Sequence, residues 1–324
     1  FAAALTAAGL VLSGSSGVDA AAGPWFETDH GAVRLVAATN AVGSGDSLSL
    51  GLQFRLKKGW KIYWRSPGDA GFPPQPDWAG SRNLEKMSVD WPRPVRFDVL
   101  GLTTLGYEDE VVLPLTAKLQ QPGEAVSVAA RMPYLTCNEI CVPYEAKLAL
   151  DLPPGPEVTA IEAGLIERFA ALVPRKGAVP DLAVTLARAD GPAGKQILRV
   201  AVNAAGSPEL LVEGPPGFRF APPRREARAD GVVFVTAVSP PYKAVQDGKS
   251  GDLAGAPLTL TLLTQDRAVE QRVIVAKGAA TVPSPPSPIT LAAFLAILGF
   301  AVLGGLVLNL MPCVLPVLSL KVLS

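Results

Sequence analysis

Histidine is almost missing from this 324-residue chain: His30 is the only one. Structural zinc takes four ligands, mostly Cys and His, so a zinc site would have to join His30 to thiols far away in sequence. Cysteine is also scarce, at three residues, and so is methionine, at three. That count excludes a small secreted scaffold held together by disulfides. An excess of either charge is absent as well, since Lys+Arg and Asp+Glu both number 29. Nothing therefore points to nucleic acid or to a polybasic membrane surface. Charge is wholly missing from Ile289 to Leu320, a run of 32 residues. About 20 apolar residues span a bilayer, so Ile289 to about Leu310 is expected to be a transmembrane helix, with Lys321 on the inner side.

The other apolar segment is Phe1 to Leu12. It is followed by Ser13-Gly14-Ser15-Ser16-Gly17 and Ala20-Ala21-Ala22. An apolar region before an Ala-x-Ala site resembles a secretory signal. The basic start is missing and the chain begins at Phe, so residues 1–22 are expected to be a truncated signal peptide. Residues 23–288 are then expected outside the cytoplasm.

Between these segments the pattern is mainly β. Val33–Ala37, Ser47–Leu56, Val111–Leu115, Ala125–Ala129 and Ala146–Leu150 alternate with period two and are separated by turn residues. This predicts an immunoglobulin-like β-sandwich over 23–153. Val158, Ile161, Leu165, Phe169 and Leu172 recur at helical spacing before Pro174, predicting a short amphipathic helix in a linker over 154–180. Strand patterns resume at Lys195–Val202, Val232–Val235 and Leu258–Leu263, predicting a second sandwich over 181–278 without cysteines. Its order of features echoes the first, as a duplication would. Pro283-Ser284-Pro285-Pro286-Ser287-Pro288 falls in a stiff linker over 279–288, leading into a membrane segment over 289–324. The expected architecture is two tandem sandwiches followed by a transmembrane α-helix.

The cysteines occupy two unlike settings. Cys137 and Cys141 flank Asn138-Glu139-Ile140 between two strand patterns, while Cys313 lies in the apolar run. A spacing of four lets the first two meet as a disulfide across a turn, and an exported domain permits oxidation. Closing so short a loop removes little entropy from the unfolded chain, which favours a reactive disulfide over a staple. Nothing in the loop lowers a thiol pKa: it opens no helix, and its one charge is Glu139. Such a pair suits an acceptor disulfide that is reduced by one thiol protein and then reduces another. Two other readings compete. One is a Cu(I)-binding module in which Cys137, Cys141 and Met132 supply soft donors. The other is an adhesion-like sandwich with a structural disulfide.

The segment from Gly59 to Pro74 is rich in aromatics and turn residues. Trp60 and Ile62 are expected in the core. The stretch from Trp64 to Phe72 holds too much Gly and Pro for a strand and is expected to form a lid over the disulfide. Candidate cap or rim residues are Trp64, Asp69, Phe72, Tyr107, Glu108 and Tyr134.

Gly59 to Pro74, the Leu105-Gly106-Tyr107 turn, Pro133-Tyr134-Leu135-Thr136-Cys137-x3-Cys141-Val142-Pro143 and Asn309-Leu310-Met311-Pro312-Cys313-Val314-Leu315-Pro316 together resemble the DsbD family of membrane thiol:disulfide interchange proteins. The resemblance is greatest to its ScsB (suppressor of copper sensitivity) branch. It implies a protein-disulfide reductase of the bacterial inner membrane, with residues 23–288 in the periplasm and no cofactor beyond a redox-active disulfide. Electrons would pass from cytoplasmic thioredoxin through membrane cysteines to a C-terminal thioredoxin-like domain, and from there to the sandwich. Periplasmic thiol proteins would receive them last: isomerases, copper-resistance proteins or peroxiredoxin-type partners. Cys137, Cys141 and Cys313 match the family's redox cysteines, and Cys141 matches the one that forms mixed disulfides. The cysteine spacing is shorter than in better-known members, and the second sandwich is an addition.

Overall fold

Period-two alternation is realised as ten strands: β1 (Phe26–Thr28), β2 (Gly31–Ala37), β3 (Ser47–Leu56), β4 (Lys61–Gly68), β5 (Leu84–Val89), β6 (Val95–Val99), β7 (Leu102–Glu108), β8 (Glu110–Leu119), β9 (Val126–Cys137) and β10 (Cys141–Leu152). They form two five-stranded antiparallel sheets, ordered β1-β2-β3-β8-β5 and β10-β9-β4-β7-β6. The computed structural model describes residues 21–99, 101–228, 231–241 and 251–278, together with Leu298 and Ala301. Most of the expected signal peptide (1–20), the 279–288 linker, Cys313 and the expected membrane segment apart from those two positions lie outside the described residues. Among the described residues no helix is long and apolar enough to cross a membrane.

One core fills the space between the two sheets, with Leu35, Leu52 and Leu113 from one face and Ile62, Trp64 and Met132 from the other. In β9 the residues Val126, Val128, Ala130, Met132, Tyr134 and Thr136 point inward, as alternation requires. β3 breaks that rule, being buried continuously from Leu50 to Phe54. The cause is the helix α1 (Ala163–Ala170), which covers the outer side of that sheet with Ala163, Ile166 and Phe169 buried. Gly51 makes room for it: a Cβ there would lie 2.6 Å from Val112 Cγ1 and 3.2 Å from Ile166 Cγ1.

The helix starts later, and turns a different face, than its apolar spacing predicts. Val158 and Ile161 are 57% and 89% exposed. The chain is still extended there, since Asn40 N–H donates to Val158 O and Ala160 N–H to Ala38 O. These backbone bonds hold the segment extended as far as Ala160; Ile161 and Glu162 then turn, with Ala163 N–H on Ala160 O, and the recess at Gly51 selects Ile166.

The remaining strands are β11 (Arg175–Lys176), β12 (Leu182–Asp190), β13 (Ile197–Ala204), β14 (Glu209–Glu213), β15 (Arg219–Phe220), β16 (Arg224–Arg228), β17 (Gly231–Ser239), β18 (Pro257–Leu263), β19 (Ala268–Ile274) and β20 (Ala276–Lys277). They make a four-stranded sheet, β11-β19-β18-β14, and a six-stranded one, β15-β17-β13-β12-β20 with β16 also on β17. Their shared core is mostly aliphatic, with Leu182, Leu198, Val200 and Leu260 almost fully buried. The described residues from Ala21 to Gly278 pack as one compact unit. Leu211 and Leu263, from β14 and β18, join the core of the first sandwich. Arg93 donates to Thr264 O and Gln265 O, and Arg96 to Glu209.

Candidate redox site at the tip of a hairpin

β9 and β10 pair in unbroken register from Val126↔Leu152 up to Cys137↔Cys141. The three residues Asn138–Ile140 close the hairpin, with Asn138 N–H donating to Ile140 O at 3.0 Å. The two cysteines are thus direct cross-strand neighbours whose side chains leave the sheet on the same side. They are joined as a disulfide, with Cα atoms 4.1 Å apart. Their settings differ. Cys137 is 1% exposed, whereas Cys141 is an exposed residue on the outermost strand of the sheet.

The neighbouring strand explains why Cys137 is covered. Lys61, the first residue of β4, pairs with Cys137 on one side and Glu108 on the other. Gly59, at φ +83°, brings the chain close to the loop, where a Cβ would lie 3.4 Å from Asn138 Nδ2. Trp60 stacks on His30 with ring centres 3.6 Å apart, and His30 Nδ1 is 2.6 Å from Tyr144 Oη. The Lys61 ammonium sits 4.9 Å from the Phe97 ring centre.

Tyr63 is the side chain that touches the bridge. Its hydroxyl donates to Cys141 Sγ at 3.5 Å, the sulfur of a disulfide having no proton to give. Burial raises the phenol's pKa above its ordinary value, so it remains a donor at neutral pH. The chain after β4 wraps around this ring. Gly71 has φ +119°, and a Cβ on it would lie 2.4 Å from the ring carbons of Tyr63. From there the backbone rejoins β9, where Gln75 N–H donates to Pro133 O and Asp77 bridges Arg131.

A covered sulfur, an exposed one and a phenol donor on the exposed sulfur thus meet at the tip of the hairpin. Residues 32–153 match the family model described as thiol:disulfide interchange protein DsbD, N-terminal. The first sandwich belongs to the DsbD N-terminal family. This DsbD-type domain is accordingly a thiol:disulfide interchange module. Residues 172–278 match a separate model, a domain of unknown function (DUF8393). The crystal structure of the N-terminal periplasmic domain of ScsB from Proteus mirabilis is similar in fold, at TM-score 0.64 and 24% identity over 80% of this chain and 100% of that one. The N-terminal domain of Neisseria meningitidis DsbD in its reduced form aligns at TM-score 0.24 and 16% identity over 40% of this chain and 89% of that one. No curated protein matches the chain.

Within the DsbD-type domain the candidate residues scatter. Cys137 and Cys141 meet; Cys313 lies outside the described residues. Trp64 is not on a rim: it is fully buried in the core, because β4 continues to Gly68 where a lid was expected. A break of register between Tyr63 and Gly68 accommodates the Pro and Gly that argued against a strand. Tyr107 is also buried, its hydroxyl donating to Pro92 O at 2.6 Å, and burial holds its pKa well above the usual phenol range. Tyr134 is buried against Phe54, and burial raises its pKa too. Trp60, expected in the core, is only half-buried, on His30.

Asp69 faces the second sandwich, accepting from Thr103 N–H and lying 3.9 Å from Arg219. Phe72 is half-buried next to Gly71, and Glu108 is exposed opposite Lys61. Met132 is removed from any copper set that includes the thiols. It is fully buried on the inner face of β9, five residues from Cys137 and so about 16 Å along the strand. Among the described residues no group of three or more His, Cys, Asp or Glu is placed to hold a metal. Tyr63 was missed because nothing in its sequence neighbourhood ties it to Cys141. Met132 was legible, since an odd separation along one strand puts two side chains on opposite faces.

Proposed function

We propose that the chain is the periplasmic part of a transmembrane disulfide reductase and that Cys141 is its exchanging thiol. The observation that supports this most directly is the asymmetry of the pair: Cys141 is exposed on the outermost strand while Cys137 is covered. Exchange proceeds by thiolate attack through a mixed disulfide, and access decides which sulfur takes part. In the reduced module the Cys141 thiolate attacks a partner's disulfide, forming a Cys141–partner bond and releasing the partner's second sulfur as a thiolate, which takes up a proton. Cys137, having lost its own proton, then attacks Cys141 Sγ. The Cys137–Cys141 bond closes and the partner leaves as a dithiol, carrying two electrons.

Re-reduction runs the same steps in reverse, from a thioredoxin-like domain of the full-length protein. That domain would be supplied through Cys313 and further membrane cysteines from cytoplasmic thioredoxin. Periplasmic thiol proteins are the proposed acceptors, among them isomerases, copper-resistance proteins and peroxiredoxin-type proteins, and the inner membrane is the proposed location. In a trapping experiment, Cys137→Ala should accumulate a covalent complex with a thioredoxin-fold partner lacking its own resolving cysteine, and Cys141→Ala should form none. Capture by Cys141→Ala alone would reverse the two roles, and capture by neither would overturn the exchange reading.

A further inference from the structure

The second sandwich carries no cysteine, and its strands make no part of the hairpin. It nevertheless reaches the strand that touches the disulfide. β4 and β7 are in register at Tyr63↔Gly106 and again at Gly68↔Thr104. Residues 64–67 of β4 therefore face Leu105 alone, a bulge in which the ladder cannot set the backbone. Arg65 lies in that bulge. Its Nε donates to Glu213 Oε1 at 3.0 Å and its Nη2 to Glu213 Oε2 at 2.6 Å, while Nη2 also donates to Glu270. Glu213 ends β14 and Glu270 lies on β19, so both carboxylates come from one sheet of the second sandwich. Below the guanidinium, 4.6 Å from its carbon, is the ring of Trp64, anchored in the first core. A forked pair of this kind fixes direction as well as distance, and the side chains are only 26% and 20% exposed, so solvent screens them little.

Tyr63 is the last residue in register before this bulge, two positions from Arg65. Its hydroxyl is the one on Cys141 Sγ, and Gly71 closes over its ring on the far side of the bulge. We propose that Arg65 is a positioning residue: through Glu213 and Glu270 the second sandwich fixes the bulge that seats Tyr63 against Cys141, and so sets the reactivity of the exchanging thiol. The cysteine-free sandwich is then part of the redox unit and not a spacer. This rests on the reading of Cys141 as the exchanging thiol.

The test is the pH profile of Cys141 alkylation by iodoacetamide in the reduced full chain, read by mass spectrometry at that peptide so that Cys313 does not interfere. A phenol that donates to a thiolate stabilises it, and a hydrogen bond to a charged group corresponds to a change of roughly ten- to hundredfold in equilibrium. Tyr63→Phe should therefore shift the profile to higher pH, with alkylation near pH 7 falling by about tenfold or more. Glu213→Gln/Glu270→Gln, far from the sulfurs, should shift it in the same direction, and Arg65→Met at least as much. Arg65→Lys should restore it only in part, because an ammonium cannot fork.

In the Tyr63→Phe background the Glu213→Gln/Glu270→Gln pair should add nothing further. An unchanged profile in the Gln pair while Tyr63→Phe shifts, or an additive shift in the combined variant, would overturn the coupling. The isosteric Gln pair keeps the test alive if Arg65→Met fails to fold. The alkylation readout needs no partner, so it stands apart from the trapping experiment: loss of trapping with an intact coupling sinks the exchange reading alone.

Discussion

In the first sandwich the core is built around large rings, with Trp64, Phe54 and Tyr134 buried beside Met132; in the second it is mainly Leu and Val, with Phe234 the one fully enclosed ring among the described residues. The first carries both hairpin cysteines and the phenol that touches them, and the second carries two carboxylates on Arg65. Chemistry and scaffold are thus divided between two similar architectures, but the division is incomplete. Leu211 and Leu263 pack into the first core, and Arg65, Arg93 and Arg96 of the first bind β14, β19 and the turn after β18. Shared core residues and partly buried ion pairs tie the two together more tightly than a linker would. An added domain without thiols can still share a core and ion pairs with the domain that carries them.

The largest effect expected from breaking this arrangement is in the first core. Trp64→Ala should cost about 3–5 kcal/mol, and Leu198→Ala in the second about 2–5 kcal/mol. Urea unfolding followed by circular dichroism measures both. If the shared residues couple the sandwiches, each variant should still unfold in a single transition. Two resolved transitions in the unmutated chain would show that they are independent. Leu263→Ala addresses the coupling directly. It should cost about 2–3 kcal/mol and split the transition, because it removes a side chain of the second sandwich from the core of the first.

A smaller effect is expected from the disulfide. Its loop spans three residues between the cysteines, so its loss removes about 2 kcal/mol of stability on the chain-entropy view. Less harm from reduction than from Trp64→Ala would agree with a reactive bridge, while collapse of the first sandwich on reduction would mark it as a structural staple.

The smallest difference is at acid pH. Burial works to raise the Glu110 pKa, but hydrogen bonds from Gln53, Arg55 and Arg168 outweigh it and hold the carboxyl below its usual value of 4.5. In the second sandwich Asp252 is held below 3.8 by Ala254 N–H and Gln196. A carboxyl depressed on folding contributes stability that is present above its unfolded pKa and lost as pH falls through the folded one. Glu110→Gln should therefore flatten the acid limb of stability from about pH 4.5 downward, and Asp252→Asn that below about pH 4. Urea midpoints measured between pH 6 and 3 test this, and an unchanged slope in either variant would remove that carboxyl from the acid response.

Much of the fold was legible because alternation is a local property. β3, β8, β9, β10, β13, β17 and β18 all lie where period-two runs were read. Apolar spacing alone misplaced α1, since Val158 and Ile161 match a helical stripe, but backbone bonds to Asn40 and Ala38 keep the chain extended through Ala160 and Ile161 falls in the turn that follows. Trp64 looked like a lid because Pro67 and Gly68 follow it, and only a break of register lets β4 continue past them. The cysteine pair was legible for the opposite reason: four positions across a turn leave few places for the second sulfur.

The sequence by itself determined most of the long strands, the hairpin and the pairing of Cys137 with Cys141, because each depends on residues a few positions apart. Tertiary structure decided which sulfur is exposed, which aromatic touches it and what holds that aromatic. Tyr63 and Cys141 are 78 residues apart, and Arg65 and Glu270 are 205 apart. Over such separations no local period carries information: the contacts exist only because the sheets twist, the cores fill and the two sandwiches share a face.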